Sequence, residues 1–190
     1  MHHAARTWIL AACTCALAAC APLAAPDMRM GASAPQAAVQ GPPFTAVERE
    51  FVTKVANKNV YEIEVSKLAA ERAVSPAVRS YAERIVQQQT QMNNELVALM
   101  SAHGVAPPSG LPADKATKLH RLAALPRSDA FDNGYIRVVG IEDHRAAIAL
   151  FEKARREVRD RDLRAWIDRS LTILRVHLAN AQSVAASISG

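Results

Sequence analysis

The chain has 190 residues, half of them hydrophobic but only 5% aromatic, and carries a formal charge of +5. That length suits one domain with an appendage, and the few aromatics and glycines, with little β-branched alternation, argue against a sheet. The mild basicity favours solubility and loose attraction to anionic surfaces and does not by itself indicate nucleic-acid binding. All three cysteines, Cys13, Cys15 and Cys20, fall in the first twenty residues. The rest of the chain therefore has no disulfide framework, thiolate metal site or cysteine nucleophile.

Met1 to Thr7 holds one cation, Arg6, and Trp8 to Ala19 is an uncharged run of small and apolar residues. A bilayer span needs about 20 residues, so this shorter run matches a signal-peptide core. It ends in Leu17-Ala18-Ala19-Cys20, which looks like a bacterial lipobox, where the cysteine takes a diacylglycerol and becomes the new N-terminus. Residues 1–19 then form a lipoprotein signal peptide and Cys20 is the lipidation site. The competing reading is an ordinary secretory signal cut after Ala25, with Cys20 incidental. Ala21 stands where sorted lipoproteins retained at the inner membrane carry aspartate, so the expected location is the outer membrane, facing the periplasm. Residues 20–43 are rich in Ala, Pro, Gly and Gln and read as a disordered tether.

The folded domain is expected over residues 44–190. Thr45 and Glu48 form a capping box ahead of a first helix reaching about Ala73. Ser75 and Pro76 supply an N-cap and a first-turn proline for a second helix, which runs to His103 with Gly104 as its cap. A Pro/Gly loop leads to a short helix, Ala113 to Leu125, stopped by Pro126. Ser128 caps a third long helix to about Val158, weakened by Gly134 and Gly140, with a local bulge expected near Gly140. Asp160 or Asp162 opens a last helix ending near Ile188. Short turns make each consecutive pair antiparallel, and the segment with the short helix carries the chain between pairs. The fold class is all-α: an antiparallel four-helix bundle with a short extra helix in the central crossover.

Apolar stripes at helical spacing mark the core: Val78, Ile85, Met92 and Leu96 in the second helix, Val139, Ala147 and Phe151 in the third, Leu163, Ile167, Leu174 and Ala181 in the last. Phe51, Val55, Val65 and Ala69 form a less regular stripe in the first. Each stripe carries one strongly polar residue near its middle: Glu62, Gln89, His144 and His177. In an antiparallel bundle these meet at one level, the way such folds build metal sites from carboxylates and imidazoles. A closed hydrogen-bond network is the other use of the same set. The two Glu-x-x-His pairs of a full di-iron site are missing, since Ile141 and Leu174 precede the histidines by three.

Phe51-Val52, the run Tyr61 to Ala69, and Tyr81 to Val86 resemble a bacterial family of unknown function whose members are labelled outer membrane proteins and are ferritin-like in fold. Phe131-Asp132 with Tyr135, Asp143-His144 with Phe151, and Leu174 with His177-Leu178 extend the likeness over residues 44–186. The resemblance implies that Glu62, His144 and His177 match the family's polar core positions. It also marks departures: Gln88-Gln89 replace an Asp-His pair, Thr172 replaces proline, and the stretch from Tyr135 to His144 is one residue long. Glutamine is a poor transition-metal ligand beside imidazole.

Lys153, Arg155, Arg156, Arg159, Arg161 and Arg164 crowd the junction of the last two helices, against Glu157, Asp160 and Asp162. One reading is contact with anionic lipid headgroups or cell-wall polymers; the favoured one is cations closing one helix and aspartates opening the next, since both complement helix dipoles. The resulting functional expectation is a lipid-anchored, non-enzymatic envelope module without a cofactor. Its partners are the membrane through Cys20, and envelope proteins or anionic polymers rather than nucleic acid. The alternative is a metal-binding protein holding Fe, Mn or Zn through a degenerate site of Glu62, His144 and His177.

Overall fold

The computed structural model describes residues 41–189; the expected signal peptide, Cys20 and the tether up to residue 40 lie outside the described residues. The elements are α1 (Ala46–Arg72), α2 (Pro76–Ala102), α3 (Ala113–Ala123), α4 (Asp129–Tyr135), a π-helical segment (Ile136–Asp143), α5 (His144–Glu157) and α6 (Arg161–Ile188). α4, the π segment and α5 run on without a break as the third long helix.

Local chemistry accounts for most boundaries. The capping box at Thr45 and Glu48 is complete in both directions. Gly104 adopts φ 70° after α2, the left-handed geometry that ends helices without a Cβ penalty. Asp160, rather than Asp162, caps α6 by accepting from the Leu163 amide at 2.8 Å. Ser75 and Ser128 occupy their expected N-cap positions, yet neither side chain makes a capping bond. The turn between α1 and α2 is instead held from the other half of the bundle. Both carboxylate oxygens of the buried Asp132 accept from the Val74 and Ser75 amides, at 3.2 and 2.7 Å.

α1 and α2 form one antiparallel pair, the third long helix and α6 the other, with α2 against α6 and α1 against α5. The crossover returns the chain along α1, where α3 lies. Arg72 pins its end by donating to the carbonyls of Ala123 and Leu125, at 2.5 and 2.7 Å. At the other end, Glu48 gathers the start of α1 and the turn into α6. It is 3% exposed and accepts from the Arg159 and Asp160 amides at 2.8 and 2.9 Å. Burial raises the Glu48 pKa, but the amides of Asp160, Thr45 and Arg159 and the Thr45 hydroxyl outweigh it and hold the group at about 2. Among the described residues, Gly41, inside the span read as tether, already touches the bundle: its amide donates to the Ala102 carbonyl at 3.2 Å.

The interior divides in two. One apolar cluster holds Phe51, Val55, Leu96, Phe151, Trp166 and Leu174; the other holds Tyr61, Val65, Ile85, Phe131, Tyr135 and Val139. Trp166 and Leu171, absent from the sequence-derived stripe of α6, are core members because that stripe is wider than one residue per turn. The expected bulge near Gly140 is a π-helix of 8 residues, which accommodates one extra residue without ending the helix. Gly140 is needed there for space: a Cβ would lie 2.9 Å from the Ala181 Cβ.

In an unconstrained helix Gly→Ala stabilises by about 1 kcal/mol. Gly140→Ala should instead destabilise the protein by about 1–3 kcal/mol, because the new methyl overpacks the contact with α6. Denaturant unfolding in a double-mutant cycle with Ala181→Gly should show favourable coupling between the two changes. Purely additive effects would show that this contact does not limit the approach of the helices.

Candidate functional site

Between the two apolar clusters lies a polar layer. Glu62 of α1, Gln89 of α2, His144 at the start of α5 and His177 of α6 are each no more than 1% exposed. The four residues singled out in the sequence therefore do meet at one level, one from each long helix. Gln89 Nε2 donates to Glu62 Oε2 at 2.8 Å. His144 Nδ1 lies 3.3 Å from Glu62 Oε1, and His144 Nε2 lies 3.2 Å from His177 Nδ1. The two imidazoles meet edge to face, 5.3 Å between centroids.

Three further participants were not foreseen. Lys58, one turn before Glu62, places its ammonium 3.1 Å from Glu62 Oε2 with its side chain 14% exposed. Its i,i+4 spacing from Glu62 was a readable signal. Gln88 reaches His177 Nε2 with its amide at 2.5 Å; as the neighbour of an inward residue, it had no periodic signal. The third is the Val139 carbonyl, 2.9 Å from His144 Nδ1. The π segment makes this contact possible. The His144 backbone amide donates to Ile141, which leaves the Val139 oxygen turned to the ring.

These contacts assign the protons. His144 Nδ1 faces only acceptors, Val139 O and Glu62 Oε1, so it carries a hydrogen there. Burial raises the pKa of Glu62, but Lys58 and then His144 outweigh that cost and hold the carboxyl below its ordinary value, as an anion. Burial depresses His177 to about 4, with His144 adding to the effect and Glu62 opposing it. His177 is therefore neutral near pH 7. Tyr61, Tyr81 and Tyr135, all in the second apolar cluster, are pushed upward by burial first, with Glu62 adding to the effect, so they remain phenols. Tyr135 donates to Ser66 at 2.8 Å, whereas the buried Tyr81 hydroxyl, Glu62 Oε1 and Gln89 Oε1 have no hydrogen-bond partner.

A surface cavity of about 410 Å³ is lined by Lys54, Lys58, Tyr61, Lys115 and Asp143 among others. Of the layer and its partners it reaches Lys58 alone; none of the four core residues lines it. Among the described residues, no group of three His, Cys, Asp or Glu side chains is placed to hold a metal ion. His103 lies apart from the layer. It stacks on Phe44 at 3.9 Å, and its Nδ1 lies 2.6 Å from the Pro42 carbonyl. His120 is in the last turn of α3.

The depressed pKa of His177 has a sign for stability. The unfolded chain takes up a proton near pH 6.5 and the folded one only near 4. Stability is then full above pH 6.5 and falls as pH drops towards 4, by up to about 3 kcal/mol. His177→Asn keeps a hydrogen-bonding group facing His144 but cannot titrate. Urea unfolding between pH 6.5 and about 5, above the range where the lowered carboxyls of Glu48 and Glu62 add their own dependence, should show that slope in the wild type and lack it in the variant. An unchanged slope would mean that another group supplies it.

Comparison with known proteins adds a family and a fold. No match is found among curated proteins. A crystal structure of a DUF305 fragment from Deinococcus radiodurans is similar, with a TM-score of 0.67 and 19% identity, over 77% of this chain and 99% of that one. At that identity the likeness speaks for the helical bundle alone. The model of a domain of unknown function, DUF4142, matches residues 33–184, which takes in all four long helices but for the last residues of α6, and with them the whole polar layer. The chain belongs to the DUF4142 family.

Proposed function

We propose that this protein is an exported envelope lipoprotein, held at the outer membrane by a lipid on Cys20 and facing the periplasm. Its bundle acts there as a non-enzymatic structural or interaction module. The observation that carries the non-enzymatic reading is the closure of the polar layer. Every one of Glu62, Gln89, His144 and His177 is no more than 1% exposed and is bonded to another member or to Lys58, Gln88 or Val139. A catalytic acid or base must come within hydrogen-bond reach of a substrate, and these groups face one another. The membrane half of the reading is supported by the signal-like start and lipobox-like run ending in Cys20. No helix among the described residues is long and apolar enough to cross a membrane.

The second reading is a ferritin-like metal-binding protein that uses Glu62, His144 and His177 for Fe, Mn or Zn. The donor set fits it less well. The layer has a single carboxylate, one of whose oxygens already holds the Lys58 ammonium and the Gln89 amide, where such sites bring several carboxylates together.

Two measurements on the protein expressed in a bacterial envelope test these readings. Intact mass should show removal of residues 1–19 and acylation at Cys20, and Cys20→Ser should move the protein from the membrane to the soluble fraction. Cleavage after Ala25 without acylation would overturn the anchor. Thermal unfolding should be unmoved by Fe²⁺, Mn²⁺ or Zn²⁺. A metal at 100 times its dissociation constant would instead stabilise by about 2.7 kcal/mol, and such a shift, lost in His144→Ala, would establish the metal site.

A further inference from the structure

The six cations between Lys153 and Arg164 are only partly explained by helix capping. Arg164 does hold the Val158 carbonyl, and Arg155 pairs with Asp168 at 2.6 Å. Arg156 and Arg159 are exposed and form no ion pair among the described residues. Arg161 is 96% exposed and meets only Asp162, at 3.7 Å. The nearby acids are unequal to them in position. Glu48 is buried on the Arg159 and Asp160 amides, and Asp160 turns inward to cap α6. Glu50, Glu157 and Asp162 remain exposed. The outward face of the turn between α5 and α6 is thus more positive than its sequence suggests.

The same end of the bundle is where the chain arrives from its N-terminal part. Gly41 donates to Ala102 at the end of α2, Phe44 stacks on His103, and the Arg49 guanidinium donates to the Phe44 carbonyl at 2.5 Å. Pro42, Pro43 and Thr45 share one shallow cavity with Arg159 and Arg161. A chain anchored upstream therefore enters the bundle at this end, beside Arg159 and Arg161.

We propose that the end of the bundle bearing Arg156, Arg159 and Arg161 is a docking face for an anionic lipid surface, held there by headgroup phosphates. Charge complementarity and the entry point of the chain select a bilayer as the occupant. Exposed guanidiniums add to a covalent lipid as the second of two attachment signals, and they orient the bundle with its long axis away from the bilayer. The inference builds on the anchored-module reading, yet its test is done without the lipid, so either can fail alone.

The full chain carrying Cys20→Ser is mixed with phosphatidylcholine vesicles, with and without phosphatidylglycerol, and the bound fraction is measured by sedimentation. Binding should favour the anionic vesicles and weaken as salt rises. Replacing Arg156, Arg159 and Arg161 together by serine should weaken it on the order of 100-fold, since each cation at an anionic surface contributes a factor of about five. A control replaces Arg121, Arg127 and Arg137 by serine; these are exposed and lie towards the opposite end, where Arg72 pins α3. The control should lose far less. Equal losses in the two triple variants would reduce the effect to net charge and overturn the docking face. So would indifference to phosphatidylglycerol, or binding to soluble polyglutamate without binding to vesicles.

Discussion

Glu62 is ionised and buried in the middle of α1, and the rest of the bundle is arranged around that fact. An isolated carboxylate in an apolar interior costs several kcal/mol unless charge and hydrogen bonds compensate it. Lys58 supplies the charge from the same helix, Gln89 a donor from α2, and His144 of the third long helix an imidazole nitrogen 3.3 Å from the other oxygen. His177 of α6 then completes the partners of His144. Sliding any helix by one turn would move its polar member into one of the two apolar clusters and leave the others unpaired. The layer thus acts on register more than on net stability, the best-attested use of buried polar groups.

The π segment belongs to the same constraint. An extra residue between Tyr135 and His144 would rotate everything beyond it by about 100° in a regular helix. Confining the insertion to a wide turn keeps Phe131 and Tyr135 above, and His144 and Phe151 below, on the inner face. The turn also frees the Val139 carbonyl to orient His144, and it brings the third helix close to α6 at Gly140 and Ala181. Backbone geometry, close packing and imidazole orientation are therefore one feature.

Each end of the bundle is closed by a carboxylate acting across elements. Asp132 holds the α1–α2 turn from α4, and Glu48 holds the α5–α6 turn from α1. Both satisfy amides that their own turns leave unpaired, and both tie one helical hairpin to the other. At the Glu48 end this inward use of acids leaves arginines outside, which links a folding device to the surface proposed to meet lipid.

Much of this was legible from the chain alone because it is local or periodic. Helix boundaries followed from Thr45, Glu48, Pro76, Gly104 and Asp160, whose effects act within one turn. The inward faces followed from apolar spacing, and the meeting of Glu62, Gln89, His144 and His177 followed from mid-helix positions in antiparallel helices. A bulge at Gly140 was legible as a weak point in a helical pattern. What required the tertiary structure were contacts between residues far apart in sequence: Asp132 standing in for Ser75, Gln88 reaching His177, Arg72 pinning α3, and Glu48 bound to the Arg159 amide. Whether the polar layer is open or closed belongs to the same group. Helical spacing identified its members, but only packing decided that they bond to one another and to Lys58, Gln88 and the Val139 carbonyl, because that depends on side-chain directions from four helices at once.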